Sequence, residues 1–255
     1  MKVYAMVKKG SNADKAVCED SLLFRSVSVH GYISSVICGS TFHLDFPSDF
    51  EYLAALSDGI GGSNAGEVAS RFILNKLAGT SFPVELSRDH IIAEIKSINE
   101  QLIKLSQEDK ALSGMGATLS GIISGPEYAW LFHTGNSRVY VTNGGFLRQL
   151  TNDHTRSHKK PWQKRDSRIL SCMGGGKLEH LDMLQITDIQ QFLPQPGTNG
   201  KIIITTDGIH DHMDNEDLED LLSLCKDDIS FCNEAMKLAQ KNESDDDMSI
   251  LVITP

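Results

Sequence analysis

Long apolar runs are missing from this chain. No window approaches the roughly 18 apolar residues that a membrane-spanning helix needs, and Met1–Gly10 lacks the apolar stretch of a secretory signal. Both absences point to a cytoplasmic protein with no membrane partner. Basic residues are the minority, 24 Lys and Arg against 34 Asp and Glu, for a formal net charge of −10. Nucleic acids and anionic membranes attract clustered cations, so neither is expected as the main partner. Cysteine is scarce: Cys18, Cys38, Cys172, Cys225 and Cys232 are odd in number and form no CxxC pair. That is the pattern of reduced, mostly buried thiols. Internal repeats and low-complexity segments are absent. Gly174-Gly175-Gly176 lacks the spacing of a P-loop or dinucleotide fingerprint, so it reads as a flexible loop.

What is present is a 255-residue chain with 40% hydrophobic and 23% charged residues, ordinary for a globular protein with a substantial core. β-branched and aromatic runs predict strands over 2–7, 21–38 (with a break near His30-Gly31), 51–56, 117–124, 128–134, 138–142, 146–150, 201–206 and 248–254. Asn143-Gly144 reads as the two central residues of a hairpin turn. Apolar spacing predicts a helix capped by Ser63 or Asn64 and stopped by Gly79, and a second from Ser87 to about 106. Two more are expected near 215–225 and 230–241, capped by Asn215 and Ser230. Strands come in clusters and helices in adjacent pairs, without the βαβ alternation of a parallel sheet. Antiparallel sheets with helices on their outer faces follow. Residues 1–255 read as one domain, in which the irregular stretch at about 152–198 is too long for a simple connection and forms a flap subdomain.

Acidic residues recur at the strand ends: Glu19-Asp20, Asp58-Gly59-Ile60-Gly61-Gly62, Asp207-Gly208 and Asp245-Asp246-Asp247. One Asp-Gly alone is a turn, and one acidic triplet alone is a solvated loop. Four such sites, placed where strands begin or end and beside glycines, describe a carboxylate cage. Carboxylates and backbone carbonyls are the ligands of hard divalent cations. All-oxygen ligands select magnesium or manganese over zinc. Two ions roughly 3.5–4 Å apart would make a hydroxide available near neutral pH and stabilise charge on a phosphoryl oxygen.

The order of these stretches resembles the metal-dependent serine/threonine protein phosphatases of the protein phosphatase 2C family, in their bacterial form. Cys18-Glu19-Asp20 resembles its Asn-Glu-Asp motif, and Asp58-Gly59-Ile60-Gly61-Gly62 its Asp-Gly-x-Gly-Gly. Gly116-Ala117-Thr118, His133-Thr134-Gly135-Asn136-Ser137-Arg138 and Leu150-Thr151-Asn152-Asp153-His154 follow in the family's sequence. Thr206-Asp207-Gly208 and Asp246-Asp247-Met248-Ser249 complete it. The resemblance implies an α+β fold, a four-layer α-β-β-α sandwich of two antiparallel sheets flanked by helix pairs. It implies hydrolysis of phosphoserine and phosphothreonine in proteins, two Mn2+ or Mg2+ ions as cofactors, and a cognate serine/threonine kinase. By motif, Asp58 bridges the ions and Asp207 and Asp246 hold one. The Gly59 carbonyl, with Asp20 and Glu19, serves the other.

Three positions depart from the family pattern. Lys15 stands where the family has an arginine that grips the substrate phosphate. It keeps the charge and loses the bidentate fork. Asn136 replaces an aspartate associated with a third ion, and one neutral carbonyl oxygen is a poor substitute. Ile60 replaces a histidine that some members use as a general acid. His133 and His154 read as structural hydrogen-bonding groups. Arg156, Lys159, Lys160, Lys164, Arg165 and Arg168 place a basic patch in the flap, either as a solvated loop or as an attractor of phosphorylated substrate. The alternatives to a phosphoprotein phosphatase are a catalytically weakened phosphatase-like binding module and a hydrolase of small phosphate esters.

Overall fold

The computed structural model describes residues 1–13, 15–27, 33–36, 39–47, 49–60, 65–156, 168–175 and 181–255. In chain order the strands are β1 (Lys2–Lys8), β2 (Ser21–Ser26), β3 (Ile33–Val36), β4 (Thr41–Asp45), β5 (Tyr52–Ser57), β6 (Gly116–Ala117) and β7 (Leu119–Ser124). They continue with β8 (Ala129–Thr134), β9 (Arg138–Asn143), β10 (Phe146–Gln149), β11 (Met173–Gly174), β12 (Gln185–Asp188), β13 (Ile202–Thr205) and β14 (Met248–Thr254). The helices are α1 (Gly66–Gly79), α2 (Arg88–Glu108), α3 (Asp207–His210), α4 (Asn215–Leu224) and α5 (Asp228–Lys241). One six-stranded sheet runs β10-β9-β13-β14-β1-β4, the other β12-β8-β7-β5-β2-β3, and every recorded strand pair is antiparallel.

Strand periodicity explains the layers. Side chains alternate between faces, so a strand buried on both sides is apolar throughout. In β13, Ile202 and Ile204 enter the core between the sheets, whereas Ile203 faces α4 and α5. In β14, Leu251 and Ile253 point inward and Ile250 and Val252 outward to the same helices. In the second sheet Leu22, Phe24, Ala54 and Leu56 meet the first sheet, while Leu23, Leu53 and Ala55 meet Ile73, Leu77, Ile95 and Ile98 of α1 and α2. Each fully buried Leu, Ile or Phe contributes on the order of 1.5–3 kcal/mol. Three such cores make the expected α-β-β-α sandwich.

Local chemistry moved several boundaries. The hairpin turn is centred on Gly144-Gly145, at φ 60° and 93°, because Asn143 pairs with Phe146 inside the ladder. Helix α1 is entered through Ala65 at φ 75° without a side-chain cap, and Ser63 and Asn64 lie outside the described residues. Asp214 and Asp227, not Asn215 and Ser230, cap α4 and α5. Each carboxylate accepts from the backbone amide three residues on and is answered by that residue's side chain, a reciprocal capping box. Strand β4 was not anticipated. The stretch expected to be irregular supplies β12, which pairs with β8 as the edge of the second sheet. Cys18, Cys172 and Cys232 are buried and Cys225 is half-buried, and Cys38 lies outside the described residues. No helix among the described residues is long and apolar enough to cross a membrane.

Candidate metal and phosphate site

Antiparallel register carries the acidic residues to one edge. In the second sheet Ser21 pairs with Ser57, so Asp20, just before β2, and Asp58, just after β5, emerge side by side. In the first sheet Thr205 pairs with Ile250, and the Thr206 amide donates to the Ser249 carbonyl at 3.1 Å. Asp207 and the Asp246-Asp247 pair therefore leave the sheet at one end. The two ends are tied across the sandwich. Ser249 Oγ and Thr206 Oγ1 both donate to Asp20 Oδ2, at 2.7 and 2.9 Å.

The backbone around Asp58 is fixed without its carboxylate. Its amide donates to Thr118 Oγ1 at 3.0 Å, and the Thr118 amide returns a bond to the Asp58 carbonyl at 2.8 Å. Gly59 and Gly66 are forced by contact. A Cβ on Gly59 would sit 2.4 Å from the Gly66 carbonyl carbon, and one on Gly66 would sit 2.5 Å from Glu19 Oε1. Gly208 leaves the same room for the Asp247 carbonyl, which would lie 2.0 Å from an added Cβ. Gly61 and Gly62 lie outside the described residues.

Electrostatically, the site holds negative charge out of water. Burial pushes the Asp20 carboxyl up to about 7, helped by Asp247 and Asp207 and opposed by the hydroxyls of Ser249 and Thr206. Burial also raises Asp58 well above the carboxylate range, and Asp20, Asp207 and Asp246 add to the shift. Asp207 is raised by burial and then by Asp246. Burial raises Glu19 too, although Lys15 pulls it back. Lys15 Nζ stands 2.6 Å from Asp246 Oδ1 and 3.0 Å from Glu19 Oε2. Burial would depress the Lys15 ammonium, but those two carboxylates outweigh it and raise its pKa.

Among the described residues, no three His, Cys, Asp or Glu side chains are arranged to hold a metal ion as they stand. Their present partners explain this: hydroxyls for Asp20, Lys15 for Asp246 and Glu19, and Asn136, whose Nδ2 donates to Asp207 Oδ2 at 2.8 Å. The donor chemistry nevertheless fits a hard cation. Asp20 Oδ1, Asp207 Oδ1 and Asn136 Oδ1 are shut away from solvent with no hydrogen-bond partner, and a buried oxygen left so is costly unless something cationic satisfies it.

Sequence reasoning missed Asp247. Its carboxylate accepts the amides of Gly10 (2.8 Å) and Glu19 (2.7 Å), clamping the first loop onto the last strand. Its neighbour Asp246 drew the attention because the motif places the ligand there. Thr206 and Ser249 were also passed over, although both lie within quoted motifs. His133 is structural: one ring nitrogen meets Ser120 Oγ at 2.7 Å, the other the Asn152 carbonyl at 2.9 Å. Burial, then His154, hold its pKa down to about 3, so it stays neutral. His154 Nδ1 takes the Gly135 amide. Arg138 grips Asp153 with two nitrogens, at 2.9 and 2.7 Å, fixing the chain just after β10. Of the basic patch, Lys159, Lys160, Lys164 and Arg165 lie outside the described residues, while the Arg156 amide bonds the Arg168 carbonyl at 3.1 Å. A cavity of about 860 Å³ lies at the other end of the first sheet, lined by Gly144, Arg148, Phe192, Lys201 and Cys225. None of the acidic residues borders it.

Two antiparallel sheets between helix pairs, with aspartates from both sheets meeting at one edge, define the class of metal-dependent phosphatases. Residues 38–248 match the family described as protein phosphatase 2C, and the chain belongs to that family. Serine/threonine phosphatase stp of Listeria welshimeri is 26% identical over 192 residues, spanning 68% of this chain and 73% of that protein. Serine/threonine protein phosphatase PstP of Mycobacterium tuberculosis is 34% identical over 110 residues, 40% of this chain and 20% of the longer relative. The crystal structure of Stp1 from Staphylococcus aureus superposes with a TM-score of 0.76 over 99% of this chain and 95% of that one, at 21% identity. That likeness establishes the fold. Membership makes the chain a serine/threonine protein phosphatase of the bacterial type, dependent on metal.

Proposed function

We propose that this chain hydrolyses phosphoserine and phosphothreonine in proteins with two manganese or magnesium ions held at the acidic edge, in the cytosol and opposite a cognate kinase. One observation supports it most: Asp58 lies within electrostatic reach of Asp20, Asp207 and Asp246, although these residues are spread from position 20 to 246. When bound, such ions supply a water of lowered pKa and stabilise charge on the phosphoryl oxygens.

The chain's own residues do the rest. Asp58, on which Asp20, Asp207 and Asp246 all act, would serve both ions. Asp207 and Asp246 would hold one ion, and Asp20, Glu19 and the Gly59 carbonyl would hold the other. The Ser249 and Thr206 hydroxyls aim Asp20 by occupying Oδ2 and leaving Oδ1 free. Lys15 meets the substrate phosphate. The stretch of about 152–198, of which 157–167 and 176–180 lie outside the described residues, would serve as a flap within a single domain spanning 1–255. Among the described residues, the cavity beside Phe192 and Lys201 lies away from the carboxylates and so does not support a small-ester site. The test is hydrolysis of a phosphothreonine peptide and of p-nitrophenyl phosphate, with manganese and with chelator. Both should proceed with manganese and stop with chelator. Turnover that survives exhaustive chelation removes the metal from the reading.

Asn136 accounts for a further difference. Its Nδ2 bond neutralises part of the charge on Asp207, and its one free oxygen carries no charge. Asn136→Asp will add a carboxylate beside Asp207 and should raise manganese stoichiometry by about one ion per chain, read by calorimetry. An unchanged stoichiometry would show that position 136 governs no ion.

A further inference from the structure

The partners of Lys15 are groups that the proposed function assigns to metal. Nζ is shared between Asp246 Oδ1 and Glu19 Oε2 and lies within electrostatic reach of Asp58. The side chain is only 17% exposed, so it is aimed inward, not solvated. Asp246 Oδ1 also accepts the Asp247 amide at 2.8 Å. A divalent cation asking for that oxygen has to displace one of the two donors. The amide is fixed by the chain, whereas the ammonium rides on a flexible four-carbon stem.

We propose that Lys15 is an internal counter-cation that competes with divalent metal for Asp246 and Glu19, so that it sets the metal affinity and turns to the substrate phosphate only after giving up those carboxylates. The inference rests on the proposed function and deepens it. An arginine would suit this exchange less well, because its planar fork binds carboxylate in two parallel bonds and is harder to dislodge. A purely structural lysine predicts the opposite result on mutation, since removing a brace loosens the site.

Manganese titration by calorimetry, without substrate, separates the two. Lys15→Met keeps the apolar stem and Lys15→Gln keeps a donor, and measuring both guards against one failing to fold. Either variant should bind manganese about tenfold more tightly than the wild type, because a positive charge within a few ångströms is gone. In chelator, both should melt at lower temperature, having lost the brace between Glu19 and Asp246. Affinity that stays equal or weakens in both overturns the inference and leaves the metal centre standing. Absence of manganese binding in the wild type as well overturns the metal centre and this inference with it.

Discussion

Asp58→Asn will lower phosphothreonine-peptide hydrolysis by about a thousandfold or more while the fold survives. The expectation divides into a structural half and a chemical half. Structurally, the hydrogen bonds that fix this residue are made by its amide and carbonyl with Thr118, and Asn preserves both. The substitution is nearly isosteric at a position only 9% exposed. Chemically, Asp58 is the carboxylate on which Asp20, Asp207 and Asp246 all act. If it serves the ions as proposed, neutralising it would remove several kcal/mol of charge stabilisation with them. A thousandfold corresponds to about 4 kcal/mol of barrier. Circular dichroism should be unchanged, and manganese at high concentration should restore little. Activity within tenfold of the wild type, with intact metal binding, would place the chemistry elsewhere.

Legibility in the sequence followed interaction range. Strands buried on both faces announce themselves, as Ile202-Ile203-Ile204 and Ile250–Ile253 do, because every position is apolar. Helix α2 was equally plain, with Ser87 accepting from the His90 amide as its cap. Where polar residues compete locally, the neighbours decide. Asn215 and Asp214 are both good caps, and the choice fell to the residue whose partner three places on, Asp217, can reciprocate. Strand β4 reads only half-apolar because its alternate residues are exposed at a sheet edge. The acidic residues themselves were visible as an ordered set of motifs. Their gathering into one cage was legible in those motifs at strand ends, but the way they are held was not, since it depends on the register of four strands and on hydroxyls reaching across the sandwich. Asp247 was hidden for the same reason: a side chain whose partners are amides at positions 10 and 19 leaves no local signal.

The same buried charge makes stability depend on pH in an unusual direction. With metal removed by chelator, the melting temperature should fall as pH rises from about 5 to 8. Burial first, and neighbouring carboxylates second, hold Asp20 up at about 7 and raise Asp58 and Asp207 as well. Unfolded carboxylates lose their protons near pH 4. Between those values the folded chain keeps protons that the unfolded chain has released, so stability declines with rising pH. The share from Asp20 is complete below about pH 4 and is lost as pH passes about 7. In acid, ordinary carboxylate ion pairs fail as their carboxylates protonate, which sets the lower limit of the window. Saturating manganese should flatten or invert the slope, because it binds the deprotonated carboxylates and stabilises only the folded chain. Asp58→Asn in chelator should melt higher than the wild type at pH 8. Relieving one repelled, desolvated charge is worth about 1–3 kcal/mol, or about 3–8 °C in a chain of this size. A flat profile in chelator, with no gain from Asp58→Asn, would mean that these carboxylates ionise independently in water and that no cage brings them together.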